Sequence, residues 1–549
     1  MSELTGSQII AKALRAQGTE HMFYLMGGPM LQTENSCMRE GIRAIDVRHE
    51  QAAAMAAMAY ARLTQKPGVC MAASGPGAIN LTTGLAHALI DCSPVVAIGG
   101  SSPSNLVGRQ AFQEIDQVAI MKPVTKWAAR AEHLDRIPEL VNTAFQKAMS
   151  GKPGPVYLDF PADLLFETIE ESKLDLGFAR RPPLAARPQG DPARVAQLVD
   201  RLRSAKRPVV VSGSGVIWSR ASAELQAFVE RTGIPFFPTP QGRGCVPDDH
   251  ELAFGTPRSL AFKEADLVLI VGTRMNYIIG HGVAPRFSKE ATIARIDIDA
   301  EEIATAAREV EIGIVGDCRE VLKQLLSSLD GKVDGKAYAE WRAHLKRHDD
   351  ARKSEAAAEA YSSEPVHPIR LLREINAIAK RDAILCVDGQ EILNYGRQVM
   401  PTFAPGHRIN SGPFGTMGVG VPFGLGAKVA KPDKQVIVVT GDGAFGFNAM
   451  EIDTMVRHEV PVLLVISNNG GWSADWPKGK PGRDLGFTRY DVLAQSLGAY
   501  GEYVERVEDV GPALRRAQAQ VDAGVTAVVN VKTDPAARCT TQQFTLSMT

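Results

Sequence analysis

Residues 435–471 read QVIVVTGDGAFGFNAMEIDTMVRHEVPVLLVISNNGG, and the polar residues of this string have types and spacing that could hold a metal ion and a phosphate together. A β-branched run ends in Gly441-Asp442-Gly443, where glycines let the chain turn sharply and approach a ligand closely. Phe447, Met450, Ile452, Met455 and Val456 follow at roughly helical spacing, and a second apolar run ends in Asn468-Asn469-Gly470-Gly471. In a right-handed βαβ crossover the carboxyl ends of both strands lie at one sheet edge, where open α/β sheets bind ligands. Asp442 and Asn469 are therefore expected side by side. A carboxylate, an amide oxygen and a backbone carbonyl, expected at Gly471, would suit Mg²⁺ completed by water and two phosphate oxygens. Gly441, Gly443 and Ala444 would border those phosphates, with N–H donors from the start of the helix. GDG alone marks any tight strand-to-helix turn; GDG followed by 24 residues and then NN is far more specific.

A second candidate group lies near the other end of the chain. Residues 47–50 (VRHE) precede a small-residue helical run, QAAAMAAMAYARL, which puts Glu50 in a first helical turn, a position that favours an acid. The two patterns together, RHE-AA-MA-YAR and GDG-x24-NN, resemble the thiamine-diphosphate (ThDP) enzymes of the acetolactate synthase/pyruvate oxidase superfamily, among them benzaldehyde lyase and oxalyl-CoA decarboxylase. The resemblance implies ThDP and Mg²⁺ as cofactors. It implies that Glu50 hydrogen-bonds the pyrimidine ring nitrogen, shifting the ring to the imino tautomer that deprotonates C2 of the thiazolium. Such a glutamate needs a largely dry pocket. Residues 411–420 (SGPFGTMGVG) resemble the element that bends the cofactor, with Met417 between its rings and the Gly415 carbonyl accepting from the aminopyrimidine. Pro76 and Asn80 are assigned to the cofactor in the same way. In these families the site spans two chains, Glu50 of one subunit facing Asp442 and Met417 of the other, so a homodimer is the minimum unit and a homotetramer is expected by analogy.

The elements that must position these residues are legible as alternating patterns. Apolar runs at 68–73 (GVCMAA), 95–99 (VVAIG) and 156–160 (VYLDF) alternate with helical spacing and predict βαβ units in a first domain, 1–179. The Pro-rich, charged stretch 180–192 predicts a linker. Runs at 208–212, 265–272 and 294–299 predict a central α/β domain over 190–330, followed by a charged linker, 331–366. A third domain, 367–535, is read from 383–388, 435–440, 461–467 and 527–531, and residues 536–549 form a polar tail, a candidate lid. The fold class is α/β, with three doubly wound parallel-sheet domains, and their similar size invites the idea of an old triplication.

Composition narrows the function classes. The 549 residues carry a net charge of −1, which argues against a nucleic-acid partner and against polybasic contact with a membrane. Seven scattered cysteines without a CxxC pair argue against a disulfide framework, and no stretch approaches a membrane span or a secretory leader, so a cytoplasmic location is expected. A small-molecule substrate remains. Motifs at 273–282 (TRMNYIIGHG), 408–420, 442–457 and 468–471 resemble oxalyl-CoA decarboxylase and 2-hydroxyacyl-CoA lyase most, which implies a CoA thioester. Trp472 stands where those enzymes often place Tyr shortly after the asparagines, and in this it is like benzaldehyde lyase. The expected function is a 2-hydroxyacyl-CoA lyase or related decarboxylase; the alternative is an acetolactate-synthase-like or benzaldehyde-lyase-like carboligase on 2-oxo acids or aldehydes. A second alternative, a non-catalytic binding protein on the ThDP fold, would require the loss of Glu50 or Asp442, both of which are present. Phe112 and Gln113 (in AFQEIDQ) from one chain, with Trp472, Ser473 and Asp475 from the other, are expected to frame the space above C2. In the central domain, residues 295–303 (RIDIDAEEI) end a strand in acids, which in related domains meet the ribose of FAD or ADP; no flavin is assigned, since a solvated strand end before a helix cap also explains them.

Overall fold

The computed structural model describes residues 3–180, 187–255, 257–329, 335–358, 361–362, 364–472 and 481–539. Ser473, Asp475, part of the first linker and the outer tail fall outside them. Strands that are apolar on both faces need helices on both sides, and every predicted run becomes a buried strand of a parallel sheet, its ends within two residues of those predicted. In the first domain His21–Tyr24, Arg43–Asp46, Gly68–Ala72, Val95–Ser101, Trp127–Arg130 and Val156–Pro161 stand in the order second, first, third, fourth, sixth, fifth. In the third domain Ile384–Asp388, Arg408–Asn410, Val436–Gly441, Leu463–Asn468, Tyr500–Val504 and Ala527–Lys532 stand in the same order. The central sheet, Pro208–Ser212, Phe236–Pro238, Leu267–Val271, Thr292–Asp297 and Ile312–Val315, shares its first four places and ends with the fifth.

The order reverses between the first and third strands of each sheet, and that reversal opens a crevice at the carboxyl edge. It falls after Tyr24 and Ala72 in the first domain, after Ser212 and Val271 in the second, and after Asp388 and Gly441 in the third.

The first and third domains share one apolar core. Its axis is the helix Glu50–Thr64, whose alanines and methionines are buried all round and which packs against the helix Gly420–Ala430. Small residues allow the contact: a Cβ on Gly426 would stand 2.1 Å from the Ala56 carbonyl oxygen, and one on Gly84 would stand 2.6 Å from the Ala54 methyl. The charged stretch before the third domain forms the helix Ala339–Ala358. Trp341 at its start donates to the Pro208 carbonyl at 3.1 Å, against the central sheet.

The segment after Asp442 departs from the single helix its spacing predicts. It forms two helices, Asp442–Asn448 and Glu451–Arg457, with Ile452 and Met455 buried and Phe447 and Met450 exposed. The exposed pair belongs to an apolar face that the chain itself leaves uncovered.

Candidate active site

The crevice of the third domain is a cavity of about 340 Å³ whose walls include Gly389, Met417, Gly441, Asp442, Gly443, Ala444, Asn469, Gly471 and Trp472. Burial pushes the Asp442 carboxyl up to about 7, and its Oδ2 has no hydrogen-bond partner. Asn469 turns its side-chain oxygen toward Asp442 Oδ1 at 3.1 Å and the Gly471 carbonyl oxygen at 2.8 Å, where the reversed amide would donate to both. Three oxygens facing one another repel unless a cation lies among them. An all-oxygen set of carboxylate, amide oxygen and backbone carbonyl is what a hard divalent cation such as Mg²⁺ takes. The donor set therefore fits Mg²⁺.

The rest of the cavity is held by close contacts. A Cβ on Gly443 would stand 2.7 Å from the Trp472 ring, so the indole lies on the glycine, and Phe447 meets it edge-on with centroids 6.4 Å apart. Met417 sits between Gly415 and Gly418, both at positive φ. Asn448 Nδ2 donates to the Gly418 carbonyl at 2.6 Å, and buried Asp388 accepts from the Gly420 N–H at 2.8 Å. The loop that carries Met417 is thus anchored from two sides. Gly415 lies outside the cavity wall and closes a turn, its N–H donating to the Ser411 carbonyl at 3.0 Å.

The N-terminal group gathers at the carboxyl edge of its own sheet. Glu50 is buried at the start of its helix, and Asn80 Nδ2 donates to its Oε2 at 3.0 Å, so Asn80 reaches Glu50 directly. Pro76 opens the short helix Pro76–Asn80 behind Gly75, whose positive φ brings it against Gln113; a Cβ there would stand 2.7 Å from the Gln113 Cβ. Gln113 Oε1 accepts from Ser74 Oγ at 2.5 Å, and Phe112 is 85% exposed. Within one chain Glu50 does not line the cavity of Asp442 and Met417.

Comparison with known proteins decides the family. The description "Thiamine pyrophosphate enzyme" matches in three parts: the N-terminal TPP binding domain at residues 4–120, the central domain at 195–325 and the C-terminal TPP binding domain at 393–531. The chain belongs to the ThDP-dependent enzymes. Its relatives of similar length carry two activities in their names. Acetolactate synthase large subunit IlvG of Mycobacterium tuberculosis is 37% identical over 542 residues, covering 96% of this chain and 95% of that protein. The 2-hydroxyacyl-CoA lyase of Arabidopsis thaliana is 35% identical over 561 residues (97% and 96%), and human 2-hydroxyacyl-CoA lyase 1 is 32% identical over 569 (99% and 96%). This ThDP enzyme is a lyase or carboligase of that group.

The structure also assembles groups that spacing did not disclose. Arg258, Arg286 and Arg397 gather with Arg243 where the central and third domains meet, and burial and mutual repulsion lower the Arg258 pKa to about 10. Arg243 pairs with Asp248 at 2.5 Å. Arg258, Arg286 and Arg397 have no ion pair with any described carboxylate, and Arg397 Nε is buried without an acceptor. These arginines come from three distant parts of the chain, and no local pattern marks them. The central crevice is a second cavity, of about 530 Å³, and it is lined by Asp297 and Glu302 of the acidic strand end. Asp297 pairs with buried Arg295 at 2.7 Å, and Glu302 pairs with Lys152 at 2.9 Å. Those acids are neutralised by protein cations.

Proposed function

We propose that this ThDP enzyme uses Mg²⁺ and cleaves 2-hydroxyacyl-CoA thioesters, or decarboxylates a related acyl-CoA. The observation that carries the substrate class is the arginine cluster. Unpaired guanidiniums held together repel one another, and a ligand with several phosphate charges relieves that repulsion through charge-assisted hydrogen bonds. Glu391 and Ile392 wall the ThDP cavity, and the helix Glu391–Val399 carries Arg397 on toward the cluster, about 9 Å further at 1.5 Å per residue. A thioester on a long phosphorylated arm spans such a separation, whereas pyruvate has nothing to place there.

Asp442, Asn469 and the Gly471 carbonyl hold the metal, and Gly441, Gly443 and Ala444 border the diphosphate. When bound, ThDP supplies a carbon nucleophile for making or breaking the bond next to a carbonyl. Met417 would support the cofactor, and Glu50, buried and accepting from Asn80, would hold a proton at its pyrimidine nitrogen. Trp472, Phe112 and Gln113 frame the reacting carbon and exclude water; Ser473 and Asp475 are assigned to the same frame. Since Glu50 and Asp442 occupy different edges of one chain, the working site joins two copies. Exposed Met26, Phe112 and Ile115 on one edge and Phe414, Met417, Phe447 and Met450 on the other supply the apolar face such a dimer needs, and a homotetramer extends it. The seven cysteines are free, which suits a reducing compartment such as the cytoplasm, and no described helix is long and apolar enough to cross a membrane.

A second reading, an acetolactate-synthase-like carboligase, is favoured by the identity with the mycobacterial synthase. The two separate when holoenzyme is incubated with a 2-hydroxyacyl-CoA, oxalyl-CoA, pyruvate or benzoin and the products are resolved by mass spectrometry. Turnover of pyruvate or benzoin with neither CoA ester consumed overturns the thioester reading.

A further inference from the structure

Glu451 opens the second helix after the diphosphate motif, and its carboxylate is buried against the N-terminal domain of its own chain. Oε1 accepts the backbone N–H groups of Arg48 at 3.0 Å and His49 at 3.2 Å. Oε2 accepts the Arg48 N–H at 3.2 Å and the Thr454 hydroxyl at 2.6 Å. The residue that follows in the chain is Glu50. Donors just ahead of a helix have no partner within it, so whatever holds them sets where and at what angle the helix begins. Around this clasp Arg48 pairs with Asp453 at 3.5 Å, while Arg457 and His458 each meet Asp46 at 2.6 Å.

We propose that Glu451 is a positioning residue for the activating acid: by gripping the Arg48 and His49 amides it aims the Glu50 carboxylate at the pyrimidine nitrogen. A buried carboxylate is an expensive way to fill space, and an apolar side chain would serve a role in packing alone. Asn80 grips Glu50 at the carboxylate, and Glu451 grips the backbone just ahead of it. Both are needed, because a displacement of about 1 Å at a reacting group costs on the order of 100-fold in rate.

The inference rests on the role given to Glu50, and its test separates the two. Glu451→Ala removes the clasp, whereas Glu451→Gln keeps an oxygen for the two amides and an NH₂ for the Thr454 hydroxyl. In cofactor-free protein, hydrogen–deuterium exchange of the peptide bearing Arg48 and His49 should accelerate at least about tenfold in the alanine variant and stay near wild type in the glutamine variant. ThDP affinity with Mg²⁺, read by calorimetry, should stay within about threefold in both, because the amides do not touch the diphosphate. Deuterium exchange at C2 of bound ThDP, measured by NMR after acid quench, should slow by about 10- to 100-fold in Glu451→Ala and be restored in Glu451→Gln. Wild-type amide protection in the alanine variant overturns the clasp. Wild-type C2 exchange with unprotected amides, or equal slowing in both variants, overturns the positioning. If Glu451→Ala does not fold, Glu451→Asp, which withdraws the carboxylate by one methylene, is read by the same criteria. Glu50→Gln is the control: wild-type C2 exchange in that variant defeats the Glu50 role itself, whatever Glu451 does.

Discussion

Replacing Arg258 by methionine should raise the stability of the free enzyme and weaken its grip on a CoA thioester, two effects of opposite sign from one cause. Arg258 faces Arg286, Arg397 and Arg243, and its pKa falls from 12.5 to about 10. A base with a depressed folded-state pKa destabilises the fold at every pH below about 10, and the cost fades only as pH rises from there toward 12.5. The shift taken at face value is roughly 3 kcal/mol, and partial solvent screening reduces it to about 1–2 kcal/mol. Methionine preserves most of the packing volume, so the apo-protein melting temperature should rise by about 1–2 °C near neutral pH. The same change removes a charge-assisted hydrogen bond to phosphate worth about 1.5–3 kcal/mol, raising KM for a 2-hydroxyacyl-CoA roughly 10- to 150-fold with little change in kcat. Differential scanning fluorimetry and initial rates on the thioester measure both. A lower melting temperature together with an unchanged KM would refute the reasoning. An equal rise in KM for a substrate lacking phosphate would show that the cluster acts through structure rather than charge.

Asp442→Ala should abolish calorimetric ThDP binding in the presence of Mg²⁺ while leaving a folded protein, and unchanged affinity removes Asp442 from the metal site. Gly426→Ala drives a methyl into the Ala56 carbonyl oxygen, 2.1 Å away, and should destabilise the packing of the first and third domains by about 1–3 kcal/mol or more, seen as a lower unfolding midpoint. His87 is fully buried beside Phe414 and Phe423 with neither ring nitrogen hydrogen-bonded, and burial lowers its pKa from 6.5 to about 3. Its cost is absent above pH 6.5 and grows as pH falls, to about 2 kcal/mol at roughly pH 5, so the stability advantage of His87→Leu should widen by that amount between about pH 8 and 5. A gap independent of pH rejects the neutral buried ring.

Much of the architecture and half of the chemistry are local properties of the chain. Long β-branched runs cannot be solvated on either face, so runs such as 435–440 and 461–467 declared buried parallel strands, and the glycines and polar residues at their ends marked the carboxyl edge where the crevice opens. The pairing of Asp442 with Asn469 followed from one right-handed crossover. Short strands such as Arg408–Asn410 and Phe236–Pro238 stayed hidden, since three residues carry no period. Phe447 and Met450 looked like core residues because helical spacing records apolarity and not what covers it; the tertiary structure turned them outward. What only the folded chain decided are the groups drawn from distant segments. Arg258, Arg286 and Arg397 are ordinary surface-type residues until the central and third domains bring their charges together. Glu451 meets the amide of Arg48 across 403 positions, through a backbone donor that carries no side-chain signal at all. Sequence spacing reports neighbours along one strand–helix unit. Contacts between units depend on how whole sheets and helices pack, and there burial, charge and the close approach of small residues such as Gly426 to Ala56 set the geometry.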